Sequence, residues 1–207
     1  MTRDETANVP VLVVHGLWDS EARVQPLVQG LRARGITPIT AFDLEPGDGR
    51  GPIPQLALQV RDQVVRLERA HNAELVDIVA FSMGALVSRY YMQRAGGRAH
   101  VRRFISISGP HRGTYTAYGL PLTGVRQMRP GSTLLEDLAA DPEPFGSVRV
   151  HCIYTPFDLM IVPATSSILP QAQSVHRVPA LVHRFMLSDG RVLDLTSRLL
   201  RDPDPMR

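Results

Sequence analysis

The 207-residue sequence predicts an α/β protein, with a mainly parallel sheet of about six strands and helices on both faces. Three observations support this. Short runs of branched apolar residues alternate with segments whose apolar residues recur at helical spacing. Several runs are apolar without a break, as expected of strands that are covered on both faces. One run, 76–81, leads through a serine turn directly into an apolar helical pattern.

The elements alternate along the chain. Strands are predicted at 9–14, 36–42, 76–81, 101–108, 148–154 and 174–178. Helices are predicted at 21–34, about 55–70, after the serine turn, and at 132–139 and 189–201. The segment 45–54 is dense in Gly and Pro and should be a loop. Residues 114–130 have no clean period and predict a long loop, which in a compact domain is usually functional.

Length and composition indicate one domain, 1–207, with flexible ends at 1–8 and 202–207. The net charge is +3, and the basic residues are scattered arginines, so no nucleic-acid partner is expected. Cys152 is the single cysteine, which excludes an intrachain disulfide. No signal core or long apolar run is evident. We expect a cytoplasmic protein without stable membrane insertion, with secretion left open if a leader was removed.

Ser82 lies in the turn Ala80-Phe81-Ser82-Met83-Gly84, between a strand and a helix. This small-x-Ser-x-small pattern is typical of a nucleophile elbow, a strained turn that exposes the serine hydroxyl above the sheet edge. The alternative is that Ser82 caps the following helix, because serine is a preferred N-cap. The position between strand and helix favours the elbow.

A serine nucleophile needs a base and an orienting acid, and after an elbow the chain order is Ser, acid, His. Asp158 follows the strand 148–154 at its carboxyl end, where catalytic groups collect. It could also form an ordinary turn after a proline. The other acids before the last histidines are less suitable, because Asp137 lies on a predicted helix and Asp141 and Glu143 precede a strand.

Two histidines remain as candidate base. His183 lies in the loop after the last strand and is favoured, whereas His176 lies inside that strand and would point into a sheet face. His15 comes too early in the chain and is expected to brace its turn by hydrogen bonding. The backbone N–H groups of Leu17 and Met83 are the expected oxyanion donors.

Apolar residues at the same edge, Trp18, Met160 and Ile161 among them, suit an acyl chain or a lipid surface, although several of them could simply pack under the loops. The remaining histidines have no metal-like spacing, so no metal site is expected. No Gly-rich phosphate loop follows the first strand, so no cofactor is expected either.

With these motifs in place, the chain resembles the alpha/beta-hydrolase superfamily, and within it the small, lidless bacterial triacylglycerol lipases and esterases. The resemblance covers roughly residues 9–200. It is carried by 11–16, 79–89, 109–114, 158–163 and 183–187. It implies a minimal alpha/beta-hydrolase fold that lacks the first two strands of the full fold. It also implies a triad of Ser82, Asp158 and His183. The sequence departs from the resemblance at three positions: the family usually has His where Phe81 stands, and Gly where Ala85 and Val182 stand.

The sequence therefore predicts a serine hydrolase that cleaves acyl or lipid-like carboxylic esters through an acyl-enzyme. An acyltransferase or thioesterase would use the same triad, because only the acceptor or the leaving group differs. A binding protein on a hydrolase scaffold is a third hypothesis, since fold alone does not guarantee activity. The expected partner is a small-molecule or lipid ester, and the oligomeric state is left open.

Overall fold

The computed structural model describes residues 9–202. The strands are β1 (Val11–Val14), β2 (Ile39–Phe42), β3 (Val76–Phe81), β4 (Val101–Ile107), β5 (Arg149–Tyr154) and β6 (Ser174–Arg177). The α-helices are α1 (Gln25–Arg32), α2 (Ile53–His71), α3 (Met83–Arg94), α4 (Thr123–Gln127), α5 (Thr133–Ala139) and α6 (Gly190–Arg201). Short 3-10 turns lie between them, and one of these spans His183–Leu187.

The six strands form one sheet in the order β2-β1-β3-β4-β5-β6, and every neighbouring pair is parallel. The predicted fold class is confirmed. The chain runs outward from β1 to β2 and then returns to β3, so the direction of winding reverses between β1 and β3. Ligands of open α/β sheets bind outside the carboxyl ends of the strands at such a reversal.

Both faces of the sheet are buried because alternate side chains enter two separate apolar clusters. Leu12, Ile78 and Phe104 pack on one face, in the cluster that includes residues of α2 and α3. Val13 and Val79 pack on the other face, in the cluster that includes residues of α1 and α6. The alternation explains why the strands are apolar at consecutive positions.

The structure changes some predicted boundaries. The segment 114–130 is not a plain loop: it contains a 3-10 turn at Tyr115–Gly119 and helix α4. These pieces are too short to produce a recognisable period. The predicted helix at 21–34 begins as a 3-10 turn, Ala22–Val24, before α1. Ser132 caps α5 as predicted, accepting from the Leu135 N–H at 3.4 Å.

The predicted flexible ends lie outside the described residues, except for Asp202. The carbonyl of Asp202 accepts a hydrogen bond from Arg149 at 3.1 Å, at the start of β5. Both ends of the described chain therefore lie at the amino edge of the sheet, opposite the edge that holds Ser82. Within residues 9–202, none of the helices combines the length and apolar character that crossing a bilayer requires.

Candidate active site

Ser82 occupies the sharp turn from β3 into α3. Its backbone has φ 54° and ψ −126°, a conformation that non-glycine residues rarely adopt. Although Ser82 is the residue before the helix, its side chain makes no capping hydrogen bond. The geometry is that of an elbow and not of a serine cap, and it leaves the Ser82 hydroxyl available at the edge of the sheet.

Two glycines allow the elbow to pack closely against β1. A Cβ on Gly84 would lie 2.2 Å from the His15 carbonyl oxygen, a distance that no side chain can adopt. A Cβ on Gly16 would lie 2.8 Å from the Ser82 Cβ. The absence of side chains at these positions brings the turn after β1 beside the Ser82 hydroxyl.

Asp158 and His183, the predicted acid and base, are hydrogen-bonded to each other. His183 Nδ1 lies 2.7 Å from Asp158 Oδ2, and both side chains are buried. The backbone N–H groups of Met160 and Ile161 both donate to Asp158 Oδ1 at 2.9 Å. Burial raises the pKa of Asp158, but the hydrogen bond and charge of His183 and the two backbone donors outweigh it, so the pKa lies below its usual value.

The other ring nitrogen of His183, Nε2, is buried and has no hydrogen-bond partner among residues 9–202. A buried polar atom without a partner is costly and calls for an explanation. His183 and Ser82 line the same cavity. The Phe81 ring packs on the imidazole, with ring centroids 4.6 Å apart and planes at 38°. The Phe81 ring thus helps to fix the orientation of the imidazole.

The predicted oxyanion donors lie in the two turns that meet at Ser82. Met83 is the first residue of α3, so its N–H has no partner within the helix. The Leu17 N–H follows β1 and donates to no carbonyl in the described part of the chain. Because Val14 of β1 pairs with Ala80 of β3, the two turns that follow these strands lie side by side.

His15 holds the turn that carries Leu17. Its Nε2 accepts from the Leu44 N–H at 2.8 Å, and the ring is buried. Three residues after His15, Trp18 has φ 57°, and its N–H donates to the Gly47 carbonyl at 2.9 Å. The loop after β2 therefore holds the turn after β1 through two hydrogen bonds.

The cavity beside Ser82 holds about 170 Å³ and is lined mainly by apolar side chains. Leu17, Trp18 and Met160 line it, and the acyl-binding role expected of Trp18 and Met160 stays a prediction. Ile161 is not among the lining residues. Its side chain is buried, and its contribution is the backbone N–H that holds Asp158.

Two features of the site were missed by sequence reasoning. The hydroxyl of Thr114 donates to the Met160 carbonyl and accepts from the Val162 N–H, both at 2.8 Å, so it holds the loop that carries Asp158. Arg184 and Asp19 form an ion pair of 3.0 Å, and both line the cavity. These contacts join residues far apart in sequence and leave no local pattern.

The alternative candidates lie elsewhere. His176 Nε2 lies 2.8 Å from Ser174 Oγ on β6, and His176 does not line the cavity. Asp137 and Asp141 pair with Arg94 at 2.8 and 2.9 Å. Within residues 9–202, no three side chains of the metal-binding types are grouped.

A six-stranded parallel sheet, a strained serine after β3, and an Asp–His pair beside it define an alpha/beta hydrolase. A family model described as palmitoyl protein thioesterase matches residues 10–141. That is more than half of the chain, which therefore belongs to the palmitoyl protein thioesterase family. The matched region contains Ser82, Leu17 and Met83 and ends before Asp158 and His183.

Two curated relatives that match the chain are thioesterases. The chain is 36% identical over 111 residues to lysosomal thioesterase PPT2 of Mus musculus and 34% identical over 110 residues to that of Homo sapiens. Each match covers 51% of this chain but only 35% of the relative's length.

Aspergillus fumigatus lipase B superposes with a TM-score of 0.81 at 16% identity, covering 96% of this chain and 54% of the lipase. Bacillus licheniformis lipase BlEst2 in its mature form superposes with a TM-score of 0.79 at 14% identity. The match covers 94% of this chain and 92% of the lipase. At these identities the two structures show a shared fold. The fold comparison and the family match together identify the chain as an alpha/beta-hydrolase-fold member of the palmitoyl protein thioesterase family.

Proposed function

We propose that the protein hydrolyses acyl esters through an acyl-enzyme formed on Ser82. The observation that carries the proposal is the unpartnered Nε2 of His183, in the cavity that Ser82 also lines, on a ring held by Asp158. A serine hydroxyl is a poor nucleophile at neutral pH and needs such a base. The free Nε2 supplies it.

In the proposed reaction, Ser82 Oγ forms a bond to the acyl carbon while His183 Nε2 takes the hydroxyl proton. Asp158 keeps the other ring proton on Nδ1 and stabilises the imidazolium. The N–H groups of Leu17 and Met83 stabilise the negative oxygen of the tetrahedral intermediate. Its collapse breaks the bond to the leaving group, which receives the proton from Nε2.

Deacylation repeats these steps with water. His183 takes a proton from the water, the hydroxide oxygen bonds to the acyl carbon, and the proton then returns to Ser82 as the carboxylic acid leaves. The apolar lining, which includes Leu17 and Met160, supports a fatty acyl group as substrate.

The direct test is the hydrolysis of p-nitrophenyl esters of graded acyl length. We expect wild type to hydrolyse them and Ser82→Ala to lose the activity. Ser88→Ala is the matched control, because Ser88 is a buried serine on α3 that does not line the cavity. Equal rates for Ser82→Ala and Ser88→Ala would contradict the proposed nucleophile.

Thioester hydrolysis is the second candidate, and it is favoured by the family match. The chemistry on Ser82 is the same, but a thiolate leaves with much less need for a proton, because a thiol has a pKa near 8.5. An oxyester and a thioester that carry the same acyl group would be compared at equal concentration. A thioester-to-oxyester ratio of kcat/KM that exceeds the ratio of their non-enzymatic hydroxide rates would favour thioester hydrolysis over oxyester hydrolysis.

A further inference from the structure

An ion pair in the wall of the cavity joins the turn after β1 to the segment that carries His183. Arg184 Nη1 lies 3.0 Å from Asp19 Oδ1, and both residues line the cavity beside Ser82. Arg184 directly follows His183, and Asp19 follows Leu17 by two residues. The pair therefore connects the base loop (178–187) with the oxyanion turn (16–19).

The oxyanion turn is a closed unit that packs against the nucleophile. The Asp19 N–H donates to the Gly16 carbonyl at 3.3 Å, which closes the turn around Leu17. A Cβ on Gly16 would lie 2.8 Å from the Ser82 Cβ, so the start of the turn touches the nucleophile. A shift of Asp19 is therefore transmitted to the Leu17 N–H and changes its position relative to Ser82.

Each of the two segments is otherwise held by a different neighbour. In the oxyanion turn, the Trp18 N–H donates to the Gly47 carbonyl in the loop after β2. The base loop is held by the loop of Asp158, through the hydrogen bond to His183. Within residues 9–202, no other hydrogen bond or ion pair joins the base loop to the oxyanion turn. The relative placement of base and oxyanion donor thus depends on this pair.

The pair also balances a charge that is almost fully buried. The Asp19 side chain is 5% exposed and the Arg184 side chain is 47% exposed. Asp19 Oδ1 has no well-aligned hydrogen-bond donor among the described residues, so the charge of Arg184 is what compensates it. A buried charge that loses its partner is costly. Without Arg184, the carboxylate would also oppose the negative charge that develops beside the Leu17 N–H.

We propose that Asp19 and Arg184 are positioning residues for hydrolysis on Ser82. The ion pair keeps the oxyanion turn and the base loop in a fixed relation and neutralises the Asp19 carboxylate next to the oxyanion. This inference rests on the proposed function. The two partners are not equivalent, because loss of Arg184 leaves a negative charge that opposes the oxyanion, whereas loss of Asp19 leaves a positive charge that favours it.

The test measures kcat and KM with a p-nitrophenyl ester for Arg184→Gln, Asp19→Asn and the double variant. We expect Arg184→Gln to lower kcat about tenfold and to change KM less than about twofold, since the lost effect belongs to the transition state. Asp19→Asn should lower kcat only about threefold, and the double variant should match it, because the pair acts as a unit. The double variant should thus be more active than Arg184→Gln. Arg184→Lys keeps the charge and should stay within about threefold of wild type.

Arg34→Gln is the matched control, because Arg34 pairs with Asp194 at 2.7 Å outside the cavity, and it should keep the wild-type kcat. Wild-type kcat in Arg184→Gln would refute the positioning role. A double variant less active than Arg184→Gln would refute the charge compensation, and an equal loss in Arg184→Lys would refute a role of the charge. A rise in KM at unchanged kcat would assign the pair to substrate binding instead. Inactive wild type would refute the proposed function itself and the positioning role with it, so the two failures are distinguishable.

Discussion

Replacing Asp158 with Asn would reverse the hydrogen bonding of His183 with little change of shape. Asp158 Oδ1 accepts from the Met160 and Ile161 N–H groups, and Oδ2 faces His183 Nδ1. The amide oxygen of the asparagine must occupy the place of Oδ1, because an NH₂ group there would face two N–H donors. The NH₂ then points at Nδ1, which must become an acceptor. The ring proton moves to Nε2, and His183 can no longer take a proton from Ser82.

The size of the effect follows from this wrong tautomer and from the lost counter-charge of the imidazolium. In a Ser-His-Asp triad of known mechanism the corresponding change lowers kcat about 10⁴-fold, or about 5 kcal/mol of transition-state stabilisation. Turning the amide over would restore the tautomer, but it would leave the N–H groups of Met160 and Ile161 unsatisfied. That costs about 1–3 kcal/mol for each group, so the variant cannot easily escape the defect.

The assay is kcat for a p-nitrophenyl ester that saturates the enzyme, measured for wild type and Asp158→Asn. Asp194→Asn is the control, because Asp194 is an exposed aspartate on α6 that pairs with Arg34 at 2.7 Å, away from the cavity. We expect the control to keep the wild-type rate. A loss of less than about tenfold in Asp158→Asn would refute the tautomer argument.

Three further predictions concern stability and positioning. The pKa of Asp158 is lower in the folded state than in the unfolded state, where it is about 4, so the ionised carboxylate stabilises the fold above that pH. This stability is lost as the pH falls through the folded pKa. In urea titrations, the difference in unfolding free energy between wild type and Asp158→Asn should therefore shrink over that range. Gly84→Ala should destabilise by at least about 1–3 kcal/mol, since its Cβ would overlap the His15 carbonyl, as measured by urea unfolding. Thr114→Val should lower kcat more than it changes KM, because the Val162 N–H loses its acceptor and the loop of Asp158 shifts.

Matched substitutions elsewhere control these predictions. Gly119→Ala meets no atom within 4 Å and should unfold like wild type. Thr165→Val changes an exposed threonine outside the cavity and should leave kcat unchanged. If Gly84→Ala were as stable as wild type, the close approach of α3 to β1 would be wrong. If Thr114→Val matched Thr165→Val in kcat, Thr114 would have no positioning role.

The fold could be predicted because the central strands β1 and β3 are buried on both faces of the sheet and are therefore apolar at nearly every position. The serine turn at Ser82 was also visible, since strand, small residues and helix are contiguous in the chain. Helix α4 could not be predicted, because five residues give too few turns to show a period. The 3-10 start of the helix after β1 was hidden for a similar reason.

The candidate site was only partly visible in the sequence. Chain order indicated Asp158 and His183, whose pairing the structure shows, while their catalytic roles stay predictions. Contacts between loops, such as Thr114 with the Met160 carbonyl, depend on the folded path of both loops and have no local signal. Ile161 was predicted to face substrate because it is apolar and near the site, but its side chain is buried beneath the loop and only its backbone serves the site.

The most direct measurement of the central claim is intact mass after treatment with a fluorophosphonate, which reacts with activated serines. We predict one adduct on wild type, none on Ser82→Ala, slow labelling of His183→Ala, and wild-type labelling of His176→Ala. Absence of an adduct on folded wild type would contradict an activated Ser82. Slow labelling of His176→Ala alone would keep the nucleophile but contradict His183 as its base.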